Sequence, residues 1–380
     1  MERIYFDNNA TTRLAPRVLR AMMPYLENRF GNASSLHWFG QEARRGMDLA
    51  RQRVADLIGA SPEEIVFTSG GTEADNQAVL GVADLSGRPG CKIVTTGIEH
   101  QAVLSSCRHL ERKGFAVSYL PVDSEGRIDP AALAGLLDED TILVSVMFAN
   151  NEVGAIQPVR EAAAVARSKG VLFHTDAVQA AGRIPIDVEA LGVDFLSVSG
   201  HKIHGPKGIG ALFVRRGLTS PVLIRGGHHE RNRRAGTENV PAIVGFGEAC
   251  RLSKERLSET AAATRMLRDR LEEGILARTP GARVNGCPQN RLPNTSNISF
   301  PGLDSQLLAI NLDLMGIAVS TGSACQSEVR EPSYVLMAMG RTPEDASDCI
   351  RFSLGPENTA SEVDRAVDAV AGLAEELRKE

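Results

Sequence analysis

The stretch "VLFHTDAVQAAGRIPIDVEALGVDFLSVSGHKIHGPKGIGALFV", residues 171–214, decides the fold class. It contains three short apolar runs, "VLFHTD", "VDFLSVS" and "IGALFV", and each is followed by polar or glycine-rich residues. Similar runs, "EIVFT", "KIVTT", "FAVSYLP" and "TILVSVMF", precede it from about residue 60 onward and alternate with helical patterns. Apolar strands that alternate with helices predict an α/β domain, with a largely parallel sheet covered on both faces and connected by right-handed crossovers.

The helical patterns divide the chain into two predicted domains. Within the strand-rich region, "PVREAAAVARSKG" is typical of an amphipathic helix that ends at Gly170, the expected C-terminal stop. From about residue 258 the character changes, because "SETAAATRMLRDRLEEGILA" predicts one long helix with an apolar stripe. We therefore expect a large α/β domain over residues 14–257 and a smaller α+β domain formed by residues 1–13 and 258–380.

The composition is that of an ordinary globular protein. The chain has 380 residues, 43% hydrophobic and 23% charged, with a net charge of -5. Its densest charged cluster, "HHERNRR" at residues 228–234, is too short for a basic stripe that binds nucleic acid. No stretch approaches the roughly 18 apolar residues of a membrane span, and "MERIYFDNNATT" lacks the apolar run of a signal peptide. We expect a cytoplasmic protein without a membrane or a stable nucleic-acid partner.

Disulfides and metal sites are not expected. The six cysteines lie far apart, without the paired CxxC spacing of zinc sites, and a reducing compartment would keep them free. Burial is the expected state for most of them, since a free cysteine behaves as a small apolar residue. His228, His229 and Glu230 are adjacent in the chain, and successive side chains seldom converge on one ion. The sequence therefore predicts no metal site.

The polar residues that follow the apolar runs are the candidates for a functional site. Ligands of open α/β sheets bind beyond the carboxyl ends of the strands. After "EIVFT", Gly71 turns the chain and Thr72 opens a helix, which is typical either of a phosphate cradle or of an ordinary strand-to-helix turn. Asp176 follows "VLFHT" and is either a helix N-cap or a functional acid. Lys202 follows "DFLSVS" in a glycine-rich loop, where a lysine is usually just solvated.

Taken together, these strand ends indicate a cofactor. Asp176 and Lys202 are 26 residues apart, about one crossover unit, so both should reach the same end of neighbouring strands. Pyridoxal phosphate needs a lysine that can form a Schiff base, a carboxylate for its protonated ring nitrogen and a cradle for its phosphate. The sequence therefore predicts a pyridoxal 5'-phosphate site at this edge of the sheet.

Further strand ends supply candidates for the same site. "VTTGIEH" delivers His100, whose flat ring could stack on a pyridine, and "VSVMFANNEVG" delivers Asn150 and Asn151 as hydrogen-bond donors. Late in the chain, "CIRFSLG" offers Arg351, whose planar guanidinium suits a substrate carboxylate. Each also has a plain structural interpretation: a capped turn for His100, satisfied polar groups for the asparagines, and a surface ion pair for Arg351.

At this point the sequence resembles a known family, the cysteine desulfurases of the NifS/IscS type. Ten ordered motifs carry the likeness from one end of the chain to the other: "YFDNNATT", "GNASSLHWFG", "FTSGGTEADN", "GIEHQAVL", "ANNEVGAIQP", "HTDAVQAAG", "SGHKIHGPKGIG", "RAGTENV", "STGSACQSEVREPSYVL" and "IRFSLG". The resemblance implies a class V aminotransferase, a pyridoxal-phosphate enzyme of fold type I and usually a homodimer.

The resemblance also implies which residues hold the cofactor ring. Lys202 of "SGHK" would carry the cofactor and move protons, and Asp176 would face the pyridine nitrogen. Gln179 would lie near the phenolic oxygen of the cofactor, while His100 would stack on the ring and take part in catalysis. The phosphate would be held by a set of residues from three loops: Gly71, Thr72, Ser199, His201 and, reaching the cofactor of the partner subunit, Thr237.

The substrate and the reaction are implied in the same way. Asn151, which also touches the cofactor, and Arg351 would grip the carboxylate of L-cysteine. The thiolate of Cys325, in "STGSACQSEVREPSYVL", would attack the substrate sulfur, leaving alanine and a persulfide on the enzyme. The sulfur would then pass to an acceptor protein, such as an iron–sulfur scaffold or a sulfur carrier, for cluster assembly or thio-modification.

Two alternatives stay open at the level of the sequence. One is another pyridoxal-phosphate enzyme of the same fold, a selenocysteine lyase or an aminotransferase, although an aminotransferase would not need Cys325. The other is a non-catalytic scaffold that binds partner proteins, which the intact Lys202, Asp176 and Cys325 disfavour. Cys349 stands where family members usually have a small residue, and we expect a buried thiol there rather than a sulfur relay.

Overall fold

The computed structural model of the protein describes residues 3–88, 90–321 and 332–378. Within these ranges the strands, in chain order, are β1 (Ile4–Tyr5), β2 (Ile65–Thr68), β3 (Lys92–Thr96), β4 (Ala116–Leu120), β5 (Thr141–Ser145), β6 (Leu172–Asp176), β7 (Phe195–Ser199), β8 (Gly210–Val214), β9 (Arg283–Asn285), β10 (Thr295–Ser299), β11 (Ile317–Ala318), β12 (Ser320–Thr321) and β13 (Cys349–Ser353). The α-helices are α1 (Pro16–Glu27), α2 (Trp38–Ile58), α3 (Gly71–Ser86), α4 (Gln101–Arg112), α5 (Pro130–Leu136), α6 (Val159–Ser168), α7 (Val188–Leu191), α8 (Val240–Glu255), α9 (Leu257–Arg278), α10 (Ser305–Leu314), α11 (Tyr334–Ala338), α12 (Pro343–Ser347) and α13 (Ala360–Leu377).

A seven-stranded sheet forms the centre of the large domain. Its strands lie in the order β2-β8-β7-β6-β5-β3-β4. Strands β7, β6, β5, β3 and β4 pair in parallel, whereas β8 is antiparallel to both of its neighbours, β7 and β2. The mostly parallel α/β sheet predicted from the alternating apolar runs is therefore confirmed, and β8 is the reversed strand within it.

Alternate residues of each strand face two different cores. In β2, Ile65 and Phe67 belong to the core shared with α2, α6 and α8, whereas Val66 belongs to the core shared with α3 and α4. This alternation follows from the two-residue period of a strand and requires helices on both faces of the sheet. The helix predicted to stop at Gly170 does so: α6 ends at Ser168, and Gly170 adopts a left-handed φ of 71°.

The second body of structure is built from both ends of the chain. Its four-stranded antiparallel sheet has the order β12-β13-β10-β9, and α9, α10 and α13 contribute to its core. Strand β1, at the start of the chain, pairs in parallel with β11, with Ile4 opposite Ile317. We call this part the small domain and the part around the seven-stranded sheet the large domain; the predicted division of the chain into residues 14–257 and residues 1–13 with 258–380 stays a prediction.

The cysteines of the described ranges behave as small apolar residues. Cys91, Cys107, Cys250 and Cys287 are buried and free, and Cys349 is buried as well. Cys325 lies outside the described residues. Among the helices that the structure describes, none has the length and apolar character needed to cross a membrane.

Candidate active site

A cavity of about 410 Å³ lies beyond the carboxyl ends of the parallel strands. Most of the predicted site residues come together here, with the exceptions given below. The lining combines strand ends of the large domain with residues from the early and the late parts of the chain. The lining residues are Asn9, Ala10, Gly71, Thr72, Asp75, His100, Gln101, Met147, Asn151, Glu152, Asp176, Val178, Gln179, Ser199, His201, Lys202, Pro332, Tyr334 and Arg351.

Asp176 and Lys202 reach this cavity from neighbouring strands. Strand β6 ends at Asp176, and β7 ends at Ser199, directly before the 3-10 turn Gly200–Lys202. The two strands pair in parallel, with Asp176 opposite Ser197, so their carboxyl ends lie side by side. The 26-residue spacing thus brings the acid and the lysine to one site, as the sequence predicts.

Burial moves the pKa values of these two groups toward each other. Desolvation, reinforced by the nearby carboxyl of Asp75, raises the pKa of Asp176 to about 7. Desolvation, followed by the positive charges of Arg183 and Arg351, lowers the pKa of Lys202 to about 7. Nζ of Lys202 donates hydrogen bonds to the backbone carbonyls of Asn9 and Ala10, and it lies 2.7 Å from the oxygen of Ala10. Near neutral pH the lysine is therefore an amine as readily as a cation.

The strand-to-helix turn after β2 has the form of an anion cradle. Helix α3 begins at Gly71 and runs for 16 residues, and Gly71 and Thr72 of its first turn line the cavity. The first amides of an α-helix have no partner within the helix and are suited to bind an anion. A Cβ atom on Gly71 would lie 2.7 Å from Cγ2 of Val178, which is closer than side chains tolerate. Glycine is required here because Val178, which follows β6, packs directly against the turn.

Ser199 and His201 border the same turn from the end of β7. The His201 ring shares a hydrogen bond of 3.0 Å between its Nδ1 and the hydroxyl of Thr11. Burial, with the adjacent charge of Lys202 next in size, lowers the pKa of His201 to about 4. The ring is therefore neutral at physiological pH, and it can offer a hydrogen bond to a phosphate without an added positive charge.

His100 caps a helix and also lines the cavity, so its structural interpretation is confirmed and its stacking role stays a prediction. Its Nδ1 accepts a hydrogen bond of 3.1 Å from the amide of Ala102 and so caps α4, while its ring lines the cavity. Desolvation lowers its pKa, against the opposing effect of the Asp176 carboxylate. The hydrogen bond to the helix fixes the plane of the neutral imidazole, which suits a ring that stacks on a flat ligand.

The two asparagines differ in role. Asn150 is structural, since its Nδ2 donates to the carbonyl of Ile98 (3.0 Å) and its Oδ1 accepts from the amides of Glu152 (2.8 Å) and Val153 (3.0 Å). Asn151 lines the cavity, and its buried Oδ1 has no protein hydrogen-bond partner among the described residues. A buried polar atom without a partner costs free energy, so Asn151 is prepared for a ligand.

Arg351 is buried rather than part of a surface ion pair. Its side chain is 5% exposed, and its Nη2 lies 2.7 Å from Oδ1 of Asp7. Its Nη1 donates to the carbonyl of Asn151 (3.1 Å), while its Nε is buried without a protein partner among the described residues. The guanidinium is thus held in place at the cavity with a donor still unused.

The remaining predicted residues have less direct evidence. Gln179 lines the cavity, and its Nε2 donates to the carbonyl of Asn9 (2.9 Å). Thr237 is exposed and does not line the cavity of its own chain, which is compatible with the expectation that it serves a partner subunit. Cys325 cannot be placed, because it lies outside the described residues.

Sequence reasoning missed a buried polar network beneath the site. His174 lies between the hydroxyls of Ser145 (Nδ1 to Oγ, 2.8 Å) and Ser197 (Nε2 to Oγ, 3.0 Å), and its Nε2 is 3.5 Å from Oδ1 of Asp75. Burial lowers the pKa of His174 to about 4 and raises that of Asp75 to about 7. The motif "HTD" contained a signal for this network, since residues two apart in a strand share a face, which places His174 beside Asp176.

A second missed group is Glu152, next to Asn151. It is buried, and the hydroxyl of Ser333 donates to its Oε2 at 2.5 Å. Burial raises the pKa of Glu152 to about 7, against the effects of Ser333 and of the Arg351 charge. This contact ties the loop after β5 to the start of α11.

These features fit pyridoxal phosphate. The cavity offers a helix N-terminus with a required glycine for a phosphate, a buried acid that can share a proton with a ring nitrogen, and a lysine with a neutral amine. Asn151 Oδ1 and Arg351 Nε, which have no partner within residues 3–88, 90–321 and 332–378, add two buried polar atoms that a ligand can satisfy.

Comparisons with known proteins agree with this chemistry. The family model "Aminotransferase class-V" matches residues 4–366. The chain is 47% identical to "Cysteine desulfurase IscS" of Methanosarcina thermophila over 375 residues, covering 99% of this chain and 93% of that protein. It is similar in structure to a "NIFS-LIKE PROTEIN" (TM-score 0.93, 43% identity, 99% of this chain and 100% of that one) and to "SspA in complex with cysteine" (TM-score 0.83, 34% identity, 94% and 100%). The chain therefore belongs to the class V aminotransferase family and, within it, to the pyridoxal-phosphate-dependent cysteine desulfurases of the NifS/IscS type.

Proposed function

We propose that the protein removes sulfur from L-cysteine, releases L-alanine and passes the sulfur on as a persulfide of Cys325. The observation that carries this proposal is one cavity in which Lys202 and Asp176 face Asn151 and Arg351. The first pair suits a cofactor that activates amino acids, and the second suits an amino-acid carboxylate. The relative solved with bound cysteine supports the choice of substrate.

When bound, pyridoxal phosphate supplies an electron sink for bonds at the α- and β-carbons of an amino acid. The residues that would hold its phosphate in this chain are Gly71, Thr72, Ser199 and His201. His100 would stack on its ring, and Gln179 would lie near its phenolic oxygen. The exposed Thr237 would serve the second subunit.

Asp176 holds a proton at the ring nitrogen. The carboxyl is buried, accepts a hydrogen bond of 2.8 Å from the amide of Val178, and has a pKa raised to about 7. A carboxylate in such an apolar setting is stabilised when a cationic partner sits against it. Asp176 therefore favours a protonated ring nitrogen, which strengthens the electron sink.

Lys202 attaches the cofactor and then moves protons. Its amine has a lone pair at physiological pH because burial lowers its pKa to about 7. A group with a pKa near the working pH both accepts and returns a proton efficiently, so Nζ can take the α-proton of the substrate and deliver it to the product. The backbone carbonyls of Asn9 and Ala10 orient Nζ.

Arg351 and Asn151 bind the substrate carboxylate. The Arg351 guanidinium stays charged, and the Asp7 carboxylate and the Asn151 carbonyl fix its plane. Its Nε, which has no partner in the part of the chain that the structure describes, and the side chain of Asn151 belong to residues that line the same cavity. A carboxylate held here would lie in the cavity that Lys202 also lines.

Cys325 is assigned from its motif, since it lies outside the described residues. Its thiolate forms a bond to the substrate sulfur as the sulfur–carbon bond breaks, and the electrons of the broken bond stay with the carbon skeleton that leaves as alanine. The persulfide then meets an acceptor, for which we infer an iron–sulfur scaffold or a sulfur carrier protein in the cytoplasm.

We also infer a homodimer. Large apolar side chains stay exposed on α1, α2 and the loop between them, among them Leu26 (56%), Phe30 (71%), Leu36 (93%) and Trp38 (63%). A contiguous apolar surface of this kind is typical of a protein interface. In such a dimer, the exposed Thr237 of one subunit would serve the cofactor of the other.

The test is product analysis with the purified, cofactor-loaded protein, L-cysteine and a thiol reductant, which reduces the persulfide and releases its outer sulfur as sulfide. We expect alanine and sulfide from the natural chain, and cofactor binding without persulfide or sulfide from Cys325→Ser. Cys349→Ser is the matched control, because that thiol is buried and we expect normal turnover. Normal turnover by Cys325→Ser would refute the assignment of the nucleophile, and loss of sulfide only in Cys349→Ser would favour a relay through that thiol.

A further inference from the structure

The charged cluster "HHERNRR", residues 228–234, contains a strained turn. Glu230, Arg231 and Asn232 have φ values of 46°, 57° and 64°. The left-handed region is unfavourable for residues with a side chain, because Cβ approaches the following carbonyl oxygen. Three such residues in succession persist only where the surrounding structure imposes the conformation, and strain of this kind concentrates at functional sites.

The side chain of Glu230 anchors the turn in the large domain. Its two carboxylate oxygens accept from the two terminal nitrogens of Arg51 at 2.8 and 2.6 Å, and Oε2 also accepts from the amide of Phe67 at 2.9 Å. Arg51 in turn donates to the carbonyl of Ile65 (2.8 Å) and lies 4.6 Å from the centroid of the Phe67 ring. The side chains of Arg51 and Glu230 are only 9% and 3% exposed. The turn is thus fixed to α2 and to β2, the strand that leads into the phosphate cradle.

The residues after the turn bind the cradle itself. Arg234 forms a two-bonded ion pair with Glu73 in the first turn of α3, at 2.8 and 3.1 Å. Oε2 of Glu73 also accepts from the amide of Ser69 at 2.8 Å, which fixes the loop on the other side of Gly71. The carbonyl of Arg233 accepts from Nε2 of Gln77, one turn further along α3 (3.1 Å). A continuous set of contacts therefore runs from Arg51, through Glu230 and Arg234, to residues 69–73.

We propose that Glu230 is a positioning residue for the phosphate cradle: through the left-handed turn it delivers Arg234 to Glu73 and thereby fixes the loop at residues 69–72. The inference rests on the proposed function, which assigns the cofactor phosphate to Gly71 and Thr72. Glu230 does not line the cavity, so it acts through Arg234 and Glu73 and not on the cofactor directly. The strain of three left-handed residues is then offset by a cradle that is rigid before the phosphate arrives.

The test measures how the loaded enzyme holds its cofactor. Glu230→Gln keeps the shape of the side chain but removes the charge that Arg51 needs, and we expect roughly 10-fold faster cofactor release. Arg234→Gln leaves the buried anchor intact and cuts only the link to Glu73, so it tests the same path should Glu230→Gln fold poorly. Because the two residues act as one unit, we expect the double variant to release the cofactor little faster than Glu230→Gln alone.

Asp364→Asn is the matched control. It breaks a two-bonded ion pair with Arg270, at 2.6 and 2.7 Å, on the exposed surface of the small domain, and we expect natural release rates and natural turnover. The phosphorus magnetic resonance of the bound cofactor separates positioning from general stability. It should move toward the position of free cofactor in Glu230→Gln and Arg234→Gln, and not in Asp364→Asn.

Two results would overturn the proposal. One is cofactor release from both Glu230→Gln and Arg234→Gln at the rate of the control. The other is faster release with an unchanged phosphorus resonance, because that pattern means loss of general stability only. Failure of the proposed function would give a different result. The cofactor-loaded natural protein would then release no alanine from L-cysteine, however tightly it held its cofactor.

Discussion

The charged groups on the two walls of the cavity differ in whether they have an ion-pair partner. On the large-domain wall, formed by His100, Asp176 and Lys202, burial without a dedicated ion pair leaves the acid and the lysine each with a pKa of about 7. On the small-domain wall, Arg351 is more deeply buried than Lys202 and lies 2.7 Å from the Asp7 carboxylate. The groups that must gain and lose protons are removed from solvent without an ion-pair partner among the described residues. The group that must bind an anion has a fixed counter-charge.

The largest effect should come from removing the lysine of the large-domain wall. In Lys202→Ala the site loses both its nucleophile and its proton carrier, so alanine formation should fall by roughly 10²- to 10⁴-fold. Lys207→Ala is the control, since that lysine is exposed on the same glycine-rich loop. The measurement is the rate of alanine release at saturating L-cysteine. A Lys202→Ala enzyme that keeps more than about a tenth of the natural rate would contradict the role assigned to this residue.

A smaller and different effect should follow from the small-domain wall. Arg351→Gln removes a charged donor from the substrate carboxylate, which should raise the KM for L-cysteine by about 10- to 100-fold. The kcat should change less, because the proton-transferring groups stay in place. Arg283→Gln, which breaks an exposed ion pair with Asp345, should leave KM unchanged. If Arg351→Gln lowered kcat with an unchanged KM, the distinction between the two walls would be wrong.

The smallest expected effect is the pH dependence of cofactor capture by Lys202, on the large-domain wall. Only the neutral amine of Lys202 can attack the cofactor aldehyde, and burial lowers its pKa from 10.5 to about 7. Capture of pyridoxal phosphate by the cofactor-free protein should therefore speed up as pH rises, about 10-fold between about pH 6 and about pH 8, and then level off. A stopped-flow measurement of the cofactor absorbance gives the rate.

A cofactor analogue without the aldehyde controls for other groups that titrate in this range. Its binding should not show the midpoint near 7, because it makes no bond to Lys202. A capture rate that keeps rising to a midpoint near 10.5 would mean that the lysine is solvated in the cofactor-free protein.

Much of the fold follows from periodicity and connection length. Apolar runs separated by helices predict a parallel sheet, and a single crossover between Asp176 and Lys202 predicts that they share an edge. The reversed strand β8 could also have been predicted. Only residues 200–209 separate β7 from β8, which is shorter than the dozen or so residues of a crossover.

The partners of the site residues could not be predicted in the same way. Asp7 and Arg351 are 344 residues apart, and no local pattern links them. Asp75 and Glu152 look like ordinary solvated acids in the sequence, and only the packing of several distant segments buries them. The cluster at residues 228–234 looked like a short charged loop, because a left-handed turn of non-glycine residues has no signature in the sequence.

The pairing of β1 with β11 has a consequence for synthesis of the protein. The chain starts in the small domain, but the strand partner of Ile4 lies at Ile317, and Arg351 comes later still. The large-domain sheet is complete once β8 has emerged, and β13 follows 139 residues later, about 7–28 s at ribosomal speed. A nascent chain can therefore fold its cofactor wall well before its substrate anchor exists. Desulfuration, with its reactive sulfur, can therefore start only after β13 has been synthesised.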